Sequence, residues 1–124
     1  MGINDLVIEY SGGGILGSRK IELYGDGRVK INLTNGAKSI ERPIALSPRQ
    51  VDSYAKRLVE SGFFELDDRY EEMVLDGFSE SMTLNYDGRT KKVECINKLP
   101  QCSEYMNIRK ELTDIIISHI LDKW

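Results

Sequence analysis

Residues 21–31 read Ile21-Glu22-Leu23-Tyr24-Gly25-Asp26-Gly27-Arg28-Val29-Lys30-Ile31. Apolar and polar residues alternate on both sides of the glycines, which is the pattern of two half-buried strands joined by a turn. A two-residue turn would place Leu23 opposite Lys30. A three-residue loop at 25–27 places Leu23 opposite Val29 and keeps the apolar side chains on one face. We therefore predict a hairpin with a three-residue loop and a left-handed Gly27.

Two further turn signals predict hairpins on either side of this one. Asn35-Gly36 favours a two-residue turn that would pair Ile31 with Ile40 on the same face. Asp87-Gly88 favours a second two-residue turn near the C-terminal end of the sheet. That turn would place six residues on one face: Met82, Leu84, Tyr86, Lys91, Val93 and Cys95. Cys95 is therefore expected to point towards the core.

The remaining strands are predicted from alternation and from proline chemistry. Leu6, Ile8 and Tyr10 alternate with polar or smaller neighbours, and a glycine run follows them. Pro43 cannot donate a hydrogen bond to a neighbouring strand, so the fourth strand should end there or run along an edge through Ile44 to Leu46. These segments give about six strands in an antiparallel sheet.

Two helices are predicted to cover this sheet. Ser47-Pro48-Arg49-Gln50 combines a capping serine, a first-turn proline and a glutamine three residues after the cap. An apolar stripe at helical spacing follows, and Gly62 stands where a left-handed residue ends a helix. A last helix, capped by Ser103, carries a broad apolar face: Tyr105, Ile108, Leu112, Ile115, Ile116, His119 and Ile120. The prediction is a single α+β domain over 1–124 with the order β-β-β-β-α-β-β-α.

Charge and terminal sequence exclude several classes of partner. Twenty acidic and 17 basic residues give a formal charge of −3, which gives no reason to expect binding to nucleic acid or an anionic membrane. The start Met-Gly-Ile-Asn-Asp lacks the basic and apolar regions of a signal peptide. The apolar stretch 115–121 is far shorter than the ~20 residues that span a bilayer. We expect a cytoplasmic protein with no membrane span.

Residues suited to catalysis are few. His119, the single histidine, continues the apolar stripe of the last helix, which favours a packing role over a catalytic one. Cys95, Cys102 and His119 could supply three zinc ligands, but a structural zinc site needs four and this spacing is unusual. Free thiols in a reducing compartment are the favoured interpretation. We therefore expect no cofactor and favour a protein without catalytic activity.

The acidic segment is the strongest candidate for a metal site. Residues 60–80 contain eight acids and one base. The carboxylates of Asp67, Asp68, Glu72 and Asp76 could gather around a hard cation such as calcium. Their spacing is not that of an EF-hand, and a solvated charged loop is the favoured alternative. These four residues are the candidate metal ligands.

Three segments occur in an order that resembles a known family. They are the turn segment 21–29, the helix exit Gly62-Phe63-Phe64-Glu65-Leu66 followed by Tyr70, and Asp76 ahead of the last hairpin. Over roughly Tyr10 to Ile116 the chain is similar to a family of uncharacterised bacterial domains, often found in exported or lipoprotein-type chains. The family carries no established activity, so the resemblance implies architecture only.

One motif of that family is missing. Its members resemble one another in a Cys-x-Gly-x-Cys-Pro-like segment before the second strand. This chain has Gly13-Gly14-Ile15-Leu16-Gly17-Ser18-Arg19 at that place. The absence of cysteine there agrees with the missing signal peptide and a reducing compartment.

Two functions from different classes follow as expectations. The first is a non-catalytic binding or protein-interaction module that uses the open sheet face or the acidic loop. Its partner would be another protein, or a second copy through the apolar face of the last helix and Trp124. The alternative is a small carboxylate-based metal-binding protein or enzyme that uses the 67–76 loop.

Overall fold

The computed structural model describes residues 5–14, 17–35, 38–73 and 78–119. They form one seven-stranded sheet with both helices on the same face. The strands are β1 (Leu6–Gly14), β2 (Gly17–Tyr24), β3 (Arg28–Asn35), β4 (Lys38–Ala45), β5 (Arg69–Glu71), β6 (Ser79–Tyr86) and β7 (Arg89–Ile96). The helices are α1 (Pro48–Glu60) and α2 (Ser103–His119), and a 3-10 turn spans Phe63–Glu65. The order across the sheet is β4-β3-β2-β1-β6-β7-β5.

The sheet is mixed, which corrects the prediction of about six antiparallel strands. The seventh strand is β5, which lies in the acidic segment predicted as a loop and runs parallel to β7. Backbone bonds also join the two ends of this pairing: the Glu94 N–H donates to the Asp68 carbonyl and the Glu72 N–H donates to the Ile96 carbonyl, each at 2.9 Å. A strand of three residues is too short to show an alternating pattern, so only this pairing reveals it. The α+β class is confirmed.

Two of the predicted turns are confirmed. Leu23 pairs with Val29 and Ile21 with Ile31, so the loop at 25–27 has three residues. Gly27 is left-handed, with φ of 95°. Asp87 and Gly88 have φ of 53° and 77°, the positive values that a two-residue turn between twisted strands requires.

The register of the β3–β4 hairpin differs from the prediction. Asn35 pairs with Lys38, and Ile31 pairs with Arg42, not with Ile40. The pairing extends to Asn35 and Lys38, and residues 36–37 lie outside the described ones. A shift of two residues keeps the same side chains on the same face, so the alternating pattern could not detect it. The edge position of the Pro43 strand is confirmed, since β4 is the outermost strand.

The first helix begins and ends as predicted. The Ser47 hydroxyl oxygen accepts a hydrogen bond from the Gln50 N–H at 3.1 Å, and Pro48 occupies the first turn. Gly62 follows the last turn with φ of 93°. The face of α1 towards the sheet is buried at four positions: Val51, Tyr54, Ala55 and Leu58. With this face packed against the sheet, the N-terminal end of α1 lies near the start of β1 and the end of β6.

The second helix begins one residue earlier than a Ser103 cap requires. Ser103 is itself helical, and the first helical bond runs from the Met106 N–H to the Cys102 carbonyl. Its buried residues are Tyr105, Ile108, Leu112 and Ile116. Arg57 joins the two helices through Glu104 at 2.6 Å and Glu111 at 3.0 Å. In the described part of the chain, neither helix is long and apolar enough to cross a bilayer.

The core lies between the helices and one face of the sheet. Phe63, at the exit of α1, is fully buried and stacks on Tyr105 with ring centroids 6.4 Å apart. Along β6 and β7, alternate residues such as Met82, Leu84 and Val93 are fully buried. Within the described residues no element covers the opposite face, which has the polar composition usual for the solvated side of an antiparallel sheet.

Candidate functional site

Glu80 is a carboxylate buried in the core. It is 6% exposed, and its side chain is on the same face of β6 as Met82 and Leu84. Arg109 on α2 donates from Nε to both carboxylate oxygens at 2.8 Å. The Tyr10 hydroxyl donates to Oε1 at 3.3 Å, and the Tyr105 hydroxyl donates to Oε2 at 3.1 Å. A buried carboxylate of this kind is retained only when such donors replace water.

These side chains and Cys95 form what we call the Glu80 cluster: Tyr10, Glu80, Cys95, Tyr105 and Arg109. The Cys95 sulfur lies 3.5 Å from the Tyr105 hydroxyl. Cys95 and Glu80 are paired across β6 and β7, which places them side by side. The cluster thus joins β1, β6, β7 and α2 through polar contacts inside an apolar core.

The pKa values of the thiol and the phenols in the cluster are shifted in the opposite direction to those of a nucleophilic site. Burial raises the pKa of the Cys95 thiol, and the Tyr105 hydroxyl only partly opposes this rise. Burial is likewise the largest cause that raises the pKa of Tyr10 and of Tyr105. Reactive thiols require a lowered pKa and access to solvent. The cluster therefore holds neutral thiol and phenol groups around one ion pair.

The stability of the protein is expected to fall as the pH rises above about 9. The unfolded chain releases thiol and phenol protons near pH 8.5 and pH 10, about their ordinary pKa values, while the folded chain retains them. Since the unfolded state then binds fewer protons, the free energy of unfolding falls by up to about 1.4 kcal/mol per pH unit for each group. Urea unfolding should show a fall between about pH 10 and 11 that is smaller in Tyr105→Phe by roughly this amount. An identical fall in both proteins would contradict the assignment.

Arg19 is a second cation near this cluster. It lies on β2 opposite Gly12, and Gly12 in turn lies opposite Glu80 on β6. A Cβ atom at Gly12 would approach the Cβ of Glu80 to 3.4 Å and the Tyr10 hydroxyl to 3.5 Å. The guanidinium of Arg19 opposes the rise in the pKa of Tyr10. Its Nε atom is buried and has no hydrogen-bond partner in the part of the chain that the structure describes.

The predicted metal ligands do not form a cluster in the described residues. Asp68 is 87% exposed and pairs with Lys91 at 2.6 Å. Asp67 precedes β5 along the chain and Glu72 follows it, and both residues are exposed. Asp76 lies outside the described residues. Across 5–14, 17–35, 38–73 and 78–119, no three residues of the metal-ligating types are close enough to hold an ion, so the metal site stays a prediction.

The prediction that Cys95 points towards the core is confirmed. Cys95 is buried, Cys102 is half-buried, and both are free thiols. The Cys102 sulfur contacts the Ser61 hydroxyl at 3.5 Å, at the end of α1. His119 is the last helical residue of α2, and its side chain lies outside the described part. The packing role of His119 is therefore still a prediction.

A cleft lies between the N-terminal end of α1 and the ends of β1 and β6. We call it the α1 cleft, and its volume is about 440 Å³, within the range of small-molecule sites. Its apolar walls are Val7, Pro48 and Val51. Its other lining residues are Gly25, Asp52, Asn85, Tyr86 and Asp87. The cleft combines an apolar floor with a few polar groups, which is the usual composition of a ligand site.

The polar groups of the α1 cleft differ in how far they are already engaged. The Asn85 amide donates to the Leu6 carbonyl at 3.0 Å, and the Gly25 N–H donates to the Asp5 carbonyl at 3.0 Å. Asp52 pairs with Lys56 at 3.1 Å, and both side chains are about half exposed. Asp87 makes no hydrogen bond or ion pair with the rest of the described chain. Two of the donors that line the cleft are therefore engaged, while the Asp87 carboxylate remains available.

The sequence prediction missed both of these sites. Glu80 shares its strand face with Met82 and Leu84, and this acidic residue in an apolar alternation was the available signal for the cluster. The cleft has no comparable signal, because four segments that are distant in sequence line it.

Comparison with protein-family models finds no match, and a search of curated proteins finds no significant relative.

Proposed function

We propose that the chain is a non-catalytic binding module and that the α1 cleft is its ligand site. The observation that carries this proposal is the contrast between the two polar sites. In the Glu80 cluster, every carboxylate oxygen is engaged by a donor of the same chain. In the α1 cleft, the Asp87 carboxylate has no such partner in the described residues and lies beside an apolar wall. Unengaged polar groups in a concave apolar site are what a ligand requires.

The composition of the Glu80 cluster argues against catalysis there. General acid–base work requires a group whose pKa lies near the working pH. The pKa of each phenol and of the thiol is shifted upward by burial, away from neutral pH. The pKa of Arg109 is raised as well, because the hydrogen bond to Glu80 and the charges around it outweigh the effect of burial. A structural role accounts for these groups.

The apolar face of α2 supports a protein partner less well than the cleft supports a ligand. Its residues Tyr105, Ile108, Leu112 and Ile116 are buried within the same chain. Met106 and Ile117 are 39% and 48% exposed, but eleven residues of helix separate them by about 16 Å. In the described part of α2, the apolar surface that motivated a homodimer is therefore used by the fold itself.

A fragment screen read by amide chemical shifts tests the proposal. The library should contain neutral, cationic and anionic compounds of fewer than about fifteen heavy atoms, so that the result does not depend on ligand charge. We expect saturable shifts at the amides of Val7, Gly25 and Asn85. Hits that never perturb these amides would contradict a ligand site in the cleft.

A pair of valine substitutions provides the control. Val7→Phe places a ring in the cleft and should weaken the hits about tenfold, which corresponds to roughly 1.4 kcal/mol. Val59→Phe alters a partly buried valine of α1 that does not line the cleft. It should leave the affinities unchanged. Equal effects of both variants would show that the hits depend on general stability and not on the cleft.

A further inference from the structure

The polar lining of the α1 cleft combines two carboxylates with the Asn85 amide and the Tyr86 hydroxyl. Asp52 and Asp87 present carboxylates, which accept hydrogen bonds when ionised. Asn85 uses its amide nitrogen on the Leu6 carbonyl, which leaves its oxygen as an acceptor. Among the described residues, no arginine, lysine or histidine lines the cleft. A ligand that donates hydrogen bonds and carries positive charge matches this lining.

The start of α1 offers fewer free N–H groups to an anion than helix N-termini usually provide. Pro48 has no N–H group. The Gln50 N–H is already bonded to the Ser47 hydroxyl at 3.1 Å, and the Val51 N–H donates to the Ser47 carbonyl at 3.2 Å. An anion depends on such N–H groups when it binds a helix start. Carboxylates and phosphates are therefore poorly matched to this end of the cleft.

Lys56 shows how an ammonium group interacts with this rim. Its Nζ atom lies 3.1 Å from Oδ2 of Asp52. The hydrogen bond to Asp52, the charge of Asp52 and the proximity of Tyr86 raise the pKa of Lys56. Both Asp52 and Tyr86 line the cleft. The Asp52 carboxylate therefore holds an ammonium group at this rim, and Asp87 offers a second carboxylate that Lys56 does not occupy.

We infer that the α1 cleft binds a protonated primary alkylamine, with the ammonium group at Asp87 and Asp52 and the alkyl chain against Val7, Pro48 and Val51. This inference rests on the proposed function and specifies its ligand class. The shared chemistry is an alkylammonium group. It is supplied either by a free amine or by a lysine side chain of a peptide.

Titrations of the full chain with three matched four-carbon probes test the inference. The probes are n-butylammonium, 1-butanol and butyrate, each followed by the amide shifts of Gly25, Asn85 and Asp87 at low ionic strength. We expect butylammonium to bind about fivefold more tightly than butanol, which corresponds to the upper end of the range for an exposed charge pair. Butyrate should bind least tightly. Added salt should weaken only the butylammonium complex, because salt screens exposed charges.

Charge-neutralising variants identify the residues responsible. Asp52→Asn with Asp87→Asn should weaken butylammonium about fivefold and leave butanol unchanged. Lys56→Gln should tighten butylammonium by about twofold to threefold, since it removes a competing ammonium. Asp114→Asn and Lys110→Gln are the matched controls on exposed positions of α2 and should change neither affinity. Equal effects of the cleft and control variants would overturn the inference.

The outcomes separate this inference from the proposed function. If butanol or butyrate binds in the cleft as tightly as butylammonium, the amine assignment is wrong while the cleft remains a ligand site. If no probe and no fragment shifts the cleft amides, both proposals fail. Parallel titrations with 1,5-diaminopentane and with Nα-acetyl-lysine methylamide distinguish the two sources. Tighter binding of 1,5-diaminopentane supports the ammonium site and assigns it to a free amine. Tighter binding of the lysine derivative supports the same site and assigns it to a lysine side chain.

Discussion

Replacing Glu80 by methionine is expected to destabilise the fold by about 3–5 kcal/mol, the range for removing one partner of a buried ion pair. The substitution leaves the Arg109 guanidinium without its carboxylate. It also removes the acceptor of the Tyr10 and Tyr105 hydroxyls. Since a small domain is stable by only about 5–15 kcal/mol, this loss should be evident as a large decrease in the urea midpoint.

The double variant Glu80→Met with Arg109→Met distinguishes an ion pair from simple packing. Two apolar residues of similar volume remove both charges together, and we expect the double variant to be more stable than Glu80→Met alone. Glu71→Met is the control, because Glu71 forms an exposed ion pair with Arg69 and such pairs contribute about 0–1 kcal/mol. Additive losses from the two cluster substitutions would show that the pair has no coupling energy. If Glu80→Met does not fold, the same comparison is made on the double variant and Arg109→Met.

Replacing Gly27 by alanine is expected to cost about 3 kcal/mol or more, because it adds a steric clash to backbone strain. A Cβ atom at Gly27 would clash with the carbonyl oxygen of Leu46. The two backbones are held together there, since the Leu46 N–H donates to the Gly27 carbonyl at 2.8 Å. The φ of 95° at Gly27 also disfavours any side chain. The turn therefore fixes where the chain passes from β4 to α1.

Gly88→Ala is the matched control for this prediction. Gly88 also has a positive φ, of 77°, but a Cβ atom there would meet no other atom within 4 Å. Its replacement should cost about 1–2 kcal/mol from backbone strain alone. Thermal and urea unfolding of both variants measure the difference. Equal losses would show that the contact with Leu46 contributes nothing.

The turns show what the sequence could predict and what it could not. At 25–27, only a three-residue loop brings Leu23 and Val29 to the same face, so the alternation of apolar residues excluded a two-residue turn. At Asn35-Gly36, registers that differ by two residues keep the same parity. The pairing of Leu33 with Ile40 therefore could not be separated from the predicted pairing of Ile31 with Ile40. The alternation of apolar and polar residues identifies which residues share a face of the sheet. It does not identify which residue of the neighbouring strand each of them pairs with.

Long-range contacts explain what else the sequence left undetermined. The β5 strand exists through pairing with β7, more than twenty residues away, and its three residues carry no periodic signal. Glu80 was visible as an acid among apolar residues of β6, yet its partners come from β1 and α2. The α1 cleft is lined by β1, the β2–β3 loop, the start of α1, and the end of β6 with the turn that follows it. A single sequence contains the residues of such a site but not their proximity.

The central claim is that ligand binding and the buried ion pair belong to different parts of the molecule. The most direct measurement is a map of amide shifts across the whole chain during a butylammonium titration. We predict saturable shifts at Gly25, Asp52, Asn85 and Asp87, with the amides of Glu80 and Arg109 unchanged. Shifts concentrated at the Glu80 cluster, or the absence of saturable shifts at the cleft, would contradict the account.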